Sequence, residues 1–145
     1  MKRTYTFLTQ GRGHIRVTDL FVAQSFIGLA AFNGGLVPCK IVPKFMPRPV
    51  LLGWNGAEHT MGTDHPFFIA LLDASTMEWV PARDGVMPEG RRPVQAGFEN
   101  NGEPLYHAVA LIDGARVSGK VGEHLGGALV PWGGQEHFRK HYQIL

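Results

Sequence analysis

Residues 105–137, LYHAVALIDGARVSGKVGEHLGGALVPWGGQEH, occur in this chain twice. Moved back by 80 positions, Tyr106-His107-Ala108-Val109-Ala110 lies over Phe26-Ile27-Gly28-Leu29-Ala30. The same shift puts Asp113-Gly114 over Asn33-Gly34, and Val117 and Lys120 over Val37 and Lys40. Beyond the lysine the shift becomes 78, because residues 41–49 carry two extra positions. Leu129, Trp132, Gly134, Glu136 and His137 then fall on Leu51, Trp54, Gly56, Glu58 and His59. A duplication of this kind fixes the architecture as two copies of one supersecondary unit. The spacing divides the chain into a first repeat over residues 1–76 and a second over 77–145.

The local signals are those of strands and turns. Asn33-Gly34, Asn55-Gly56 and Asp113-Gly114 each separate two apolar runs, and such pairs supply the positive φ that tight hairpin turns need. With 19 glycines and 10 prolines the chain has many turns and little room for long helices. Strands are expected at 4–8, 36–42, 50–54, 66–72, 77–80, 94–98, 105–112, 116–121, 128–132 and 138–145. Two more are expected within 15–32, and a loop at Gly11-Arg12-Gly13. Pro38 confines its strand to an edge or a bulge. In residues 105–112 both alternating faces are largely apolar, which suits a strand buried on both sides. The only candidate helix, 73–79, is short. The expectation is an all-β protein: two tandem antiparallel repeats, related by a pseudo-twofold axis and sharing one compact core.

Composition narrows the function. Of the 145 residues, 44% are hydrophobic and 18% charged, and the formal net charge is only +2. The basic residues are scattered, so no nucleic-acid surface is indicated. No apolar stretch is long enough to cross a bilayer as a helix, and residues 1–13 do not read as a secretory signal. Lone Cys39 excludes an intrachain disulfide and suits a reducing compartment. Together these lead to a cytoplasmic location, or release by a route the sequence does not display.

Several chemical motifs fail on inspection. Residues 114–121, GARVSGKV, approach a phosphate-binding loop, but Val121 stands where magnesium needs a hydroxyl and no helix follows. Cys39 and the serines lack a nucleophile's setting. Glu58-His59 and Glu136-His137 resemble metal or acid–base dyads. Neighbours on a strand point to opposite faces, so these pairs are expected to fasten their turns by hydrogen bonds. No metal, cofactor or catalytic residue is therefore expected. Trp54 and Trp132 are read as core residues, with stacking on a ligand as the alternative.

The phrases Leu105-Tyr106-His107-Ala108, Ser118-Gly119-Lys120-Val121 and Val130-Pro131-Trp132-Gly133-Gly134-Gln135-Glu136-His137 resemble the DM-nine repeat. So do Glu78-Trp79-Val80, Ala96-Gly97-Phe98-Glu99 and Tyr142-Gln143-Ile144-Leu145. In the first copy the matching phrases are Phe26-Ile27-Gly28, Pro38-Cys39-Lys40-Ile41 and Gly53-Trp54-Asn55-Gly56-Ala57-Glu58-His59. The resemblance spans residues 15–145. A departure is that the shift of 80 positions places the counterpart of Trp79-Val80 before Met1. The first repeat is thus expected to lack a strand or to borrow one.

What the resemblance implies is a carbohydrate-binding, mannose-type lectin of the kind known from invertebrates, acting in recognition of microbial glycans. It implies a site in each repeat made by an acidic residue and a lysine: Asp19 with Lys40, and Glu99 with Lys120. The two pairs have the same separation along the chain. A carboxylate can accept from two neighbouring sugar hydroxyls while an ammonium donates to a third oxygen. The plain alternative is a pair of surface salt bridges worth about 0–1 kcal/mol. Mannose-type glycans and a second copy of the chain are the expected partners. A second reading is an interaction or membrane-associated protein that uses the same repeats without sugar. A third, a hydrolase built on Glu99 or the histidines, has the least support.

Overall fold

The computed structural model describes the backbone of residues 6–9 and the whole of residues 25–145. Asp19, the loop at Gly11-Arg12-Gly13 and the beginning of the 15–32 segment lie outside the described residues. Among the described residues there are thirteen strands: β1 (Thr6–Thr9), β2 (Phe26–Phe32), β3 (Gly35–Ile41), β4 (Val50–Trp54), β5 (Ala57–Met61), β6 (Phe67–Leu71), β7 (Val80–Arg83), β8 (Gly97–Phe98), β9 (Pro104–Ile112), β10 (Ala115–Gly122), β11 (Gly127–Trp132), β12 (Gln135–Arg139) and β13 (His141–Ile144). The all-β expectation holds, and the only helical pieces among the described residues are 3-10 turns at Pro43–Phe45 and Glu123–Leu125. The segment 73–79 forms a turn rather than a helix, with Asp73 accepting from the backbone and hydroxyl of Ser75.

The strand order is β1-β6-β2-β3-β4-β5-β12-β11-β10-β9-β13-β7, and all pairs are antiparallel. The duplication is visible in this order, since the hairpin β2–β3 corresponds to β9–β10 and β4–β5 to β11–β12. The hairpin turns follow the sequence signals. Asn33, Asn55 and Asp113 have φ of 48°, 50° and 49°, each followed by a glycine that is also at positive φ. Short β8 pairs with β3 at Leu36↔Phe98 and with β9 at Gly97↔Leu105. It thereby closes a hydrogen-bonded circuit through β3, β4, β5, β12, β11, β10 and β9.

The strand expected to be missing from the first repeat is present. β1 pairs with β6 (Thr6↔Leu71, Leu8↔Ile69) as β7 pairs with β13 (Arg83↔His141, Val80↔Ile144). Leu8 is therefore the counterpart of Val80, and the two stand closer in sequence than the repeat shift, which is why a fixed shift ran off the chain. The strand expected at 77–80 begins only at Val80, and the one expected at 138–145 is split at Lys140 into β12 and β13. Pro38 sits on the flank of β3 that lies between its partners β8 (at Leu36) and β4 (from Lys40), so its missing N–H costs no ladder bond.

The core has one cluster centred in each repeat, the first of which also takes Leu105 from β9, and a third that joins them. Phe26, Val37, Cys39, Ile41, Val50, Leu52 and Ile69 fill the first, while Ala108, Ile112, Val117, Val121, Val130 and Tyr142 fill the second. Ile27 and Ala70 of the first repeat meet Met77, Val94 and Leu145 of the second in the joining cluster. Strand β9 is buried on both faces over most of its length, but near its end Leu111 is 63% exposed.

His107 is the polar exception on β9, at 1% exposure. Burial lowers its pKa from 6.5 to about 3. The folded state therefore holds His107 neutral, while the unfolded chain takes up a proton as pH falls through about 6.5. Its contribution is fully present above that pH and is lost between pH 6.5 and about 3, at roughly 1.4 kcal/mol per unit. Urea unfolding between pH 7 and 4 is expected to show this slope, and a His107→Leu variant that retained it would refute the assignment.

Candidate functional site

The alternation of β3 directs Val37, Cys39 and Ile41 into the first core and Lys40 to the opposite face, toward the second repeat. The Lys40 ammonium lies 3.2 Å from a Glu58 carboxylate oxygen of its own repeat. From the other repeat come the Pro131 carbonyl, to which it donates, and the Trp132 ring, 5.3 Å away. Lys120 on β10 repeats the arrangement. It pairs with Glu136 at 3.2 Å, donates to the Gly53 carbonyl at 2.9 Å and lies 5.0 Å from the Trp54 ring. Each lysine thus has its carboxylate in cis and its indole and carbonyl in trans.

Both lysines are buried, Lys40 at 6% and Lys120 at 4% exposure. Removing an ammonium from water costs several kcal/mol unless a counter-charge and further acceptors replace the solvent. The carboxylate, carbonyl and indole face provide that replacement. Burial lowers the Lys40 pKa from the usual lysine value, and Glu58 opposes the shift by charge and hydrogen bonding. The packing is close: a Cβ on Gly53 would come within 2.3 Å of the Glu136 carboxylate, so only glycine leaves room for that side chain.

The glutamates also tie the turns together. Glu136 Oε1 accepts from the Gly56 amide at 3.2 Å, and Glu58 Oε1 from the Gly134 amide at 3.3 Å. The backbone repeats the exchange, with the Glu58 amide donating to Gly134 and the Glu136 amide to Gly56. The histidines fasten their own turns, His59 to the Trp54 carbonyl at 3.2 Å and His137 to the Trp132 carbonyl at 3.0 Å. The two Glu-His pairs are therefore turn fasteners, as expected, and among the described residues no group of three metal-ligating side chains forms.

Glu99 lies elsewhere. It begins the turn between β8 and β9, where its amide donates to the Glu103 carbonyl at 2.8 Å. Its carboxylate meets His124 Nε2 at 3.2 Å, and Glu103 meets His124 Nδ1 at 3.5 Å. The direct salt bridge between Glu99 and Lys120 is not formed, because Lys120 is taken by Glu136. Both residues are nevertheless near Trp54, Glu99 as a fellow lining residue of one cleft and Lys120 at the ring. Glu99, Asn100, Asn101, Glu103 and His124 line an open cleft of about 440 Å³ with Trp54, and Lys120 lies against the ring. Phe32 braces Trp54 at 5.7 Å between centroids.

The corresponding cleft at Trp132 holds about 270 Å³ and is lined by Lys40, Lys44, Phe45, Arg116 and Ser118 among others. Neither tryptophan is simply a core residue. Trp132 is 37% exposed, and Trp54 packs on the first core while lining a cleft. Sequence reasoning also missed the part played by Glu58 and Glu136. A signal was present: both glutamates recur behind their lysines, and the longer spacing in the first copy is accounted for by its two-position insertion.

Comparison with known proteins agrees with this architecture. The family model described as "DM9 repeat" matches residues 20–139. Among solved structures, the nematode sperm cell motility protein MFP2B superposes with a TM-score of 0.63 at 16% sequence identity. The match covers 97% of this chain but only 45% of that one, so the chain spans less than half its length. No curated protein matches by sequence.

Proposed function

Because this chain belongs to the DM9 repeat family, we propose that it is a non-enzymatic, mannose-type lectin with one sugar-binding cleft in each repeat. The observation that carries the reading is the cleft at Trp54, where an aromatic face stands beside carboxylates, amides and an imidazole. This combination suits a sugar, whose C–H face packs on an indole while its hydroxyls need both donors and acceptors. Glu99 and Lys120 are the proposed polar contacts in the second repeat, and Asp19 and Lys40 in the first. A ligand at Glu99 would replace the bond to His124 with hydroxyl bonds, which costs little because the cleft is open to water. Two such clefts per chain, doubled in a homodimer, would raise avidity on a multivalent microbial glycan.

Calorimetric titration with mannose tests this directly. Charge-assisted bonds of roughly 1.5–3 kcal/mol predict that Glu99→Ala weakens the second site by about tenfold or more. Trp54→Ala should weaken it as well. Unchanged affinity in both variants, or no binding by the unaltered chain, would sink the proposal.

A second reading is an interaction module without sugar, as the motility protein with the same fold suggests. Exposed Leu111 and Phe138, at 63% and 51%, are consistent with a protein-binding face. Sedimentation of the chain without sugar, alone and with vesicles, separates this reading from the first.

A further inference from the structure

The 3-10 turn after β3 leads into an exposed run that the second repeat lacks. Lys44, Phe45, Met46, Pro47 and Arg48 are all exposed, so three apolar residues stand together in water between two cations. Phe45 is 52% exposed and Met46 59%. The corresponding turn, Glu123–Leu125, treats its apolar residue differently: Leu125, the counterpart of Phe45, packs against the first core. Strand β11 begins just past that turn at Gly127, whereas β4 begins only at Val50, and the two extra positions of the first copy fall in this interval.

The run is held in one shape by its own hydrogen bonds. The amides of Phe45, Met46 and Arg48 donate to the carbonyls of Val42, Pro43 and Phe45 at 2.9, 3.2 and 2.9 Å, and Val42 closes the base onto Pro49 at 2.8 Å. The Arg48 guanidinium donates to the Thr60 hydroxyl at 3.1 Å and to the Thr60 carbonyl, both of them uncharged partners. Among the described residues, no carboxylate lies within ion-pair distance of Lys44 or Arg48. A single exposed apolar side chain is ordinary on a protein surface. A braced turn that carries a contiguous apolar tip between two unneutralised cations is complementary to an anionic bilayer in both charge and polarity. A nucleic acid would use the cations without the tip, and an apolar protein groove the tip without the cations.

We propose that residues 44–48 dock the protein onto an anionic lipid surface. Phe45 and Met46 enter the boundary between headgroups and acyl chains, while Lys44 and Arg48 pair with the headgroups. The contact is interfacial, since the tip is far too short to cross the bilayer. Lys44 and Phe45 also line the cleft at Trp132, so docking brings that cleft to the lipid surface. The inference goes beyond the carbohydrate reading and does not depend on it.

The test is sedimentation of the full chain with vesicles of phosphatidylcholine alone and of phosphatidylcholine mixed with phosphatidylserine, at low and high salt. The variants are Phe45→Ser/Met46→Ser and Lys44→Gln. All three positions are exposed, so the variants should keep the melting temperature, which is checked first. The unaltered chain should sediment with the anionic vesicles, less with the neutral ones, and less again in high salt, which screens the headgroup charge. Removing both apolar side chains should lower partitioning about tenfold or more. Removing one cation should lower it about fivefold. A fluorophore on Met46→Cys reads insertion directly, because Cys39 is buried and does not take the label. Its emission should shift to the blue on anionic vesicles. No binding to anionic vesicles, full binding by Phe45→Ser/Met46→Ser, or a fluorophore that stays in water while the chain sediments would each overturn the proposal.

Discussion

Replacing Glu136 with alanine is expected to destabilise the protein by about 3–5 kcal/mol, the cost of leaving a buried cation without its counter-ion. The paired side chains, Lys120 and Glu136, are only 5% and 4% exposed. Without the carboxylate, Lys120 keeps the Gly53 carbonyl and the Trp54 ring, neither of which carries a full charge. The Gly56 amide also loses its acceptor. Urea denaturation should show a lower midpoint at nearly constant slope. The double variant Lys120→Met/Glu136→Leu should recover most of the loss, because it removes both desolvated charges together. If Glu136→Ala alone is as stable as the parent, the ion pair is not structural, and the reciprocal arrangement around the lysines loses its energetic basis.

The next largest effect is expected at Gly97 in β8. A Cβ there would fall 1.8 Å from the Leu36 carbonyl oxygen and 2.8 Å from its carbon, both backbone atoms with no rotamer to escape into. Gly97→Ala must displace β8 from β3, at a cost of roughly 3 kcal/mol. Since β8 alone joins β3 to β9 among the described strands, amide exchange at Leu36 and Leu105 should rise most. Gly102→Ala is the control. It lies in the turn that follows, with φ of +88° and nothing near its Cβ, so only the left-handed backbone cost of about 1–2 kcal/mol applies. Equal losses in the two variants would show that the close approach is not what holds the circuit shut.

The fold was legible wherever the chain carries local signals. Asn33-Gly34, Asn55-Gly56 and Asp113-Gly114 mark hairpins by turn chemistry alone, and the apolar runs between them become β2–β4 and β9–β11. Reading failed where the signal is not local. The counterpart of β7 was hidden because β1 lies further along the chain than the repeat spacing predicts, and backbone pairing does not need a fixed spacing. Strand β5 was left out of the expected strands because Ala57–Met61 is polar and short and carries no apolar run, although Glu58 spans the repeats and His59 holds its own turn. The Asp84-Gly85 turn, at φ of 56° and 74°, was submerged in a run of turn-forming residues.

The recurrence of Lys40 and Lys120 was legible in the sequence, but the partners they take in the fold were not. Sequence spacing can propose that an acid and a base recur together; it cannot decide which acid. Glu99 precedes Lys120 and Glu136 follows it at a comparable remove, and only the packing of β11 and β12 against the turn settles that Glu136 takes the ammonium. The core reading of the tryptophans was incomplete for a related reason: Trp54 does pack on the first core, while Trp132 is 37% exposed. Each ring meets the lysine of the other repeat, and Trp54 packs on its own core as well, so local apolarity does not tell the whole of what a ring covers.

That crossing has a consequence for how the two clefts can vary. Were the halves separate identical subunits, every substitution would appear in both clefts at once, and the 3-10 turn after β3 could not carry Lys44 at the middle position where the turn after β10 carries His124. Joining them in one chain preserves the mutual bracing by the buried lysines while freeing each rim to change alone. The shared interior enforces symmetry, and the covalent link permits its local breakage: a two-sided frame whose sides need not recognise the same thing.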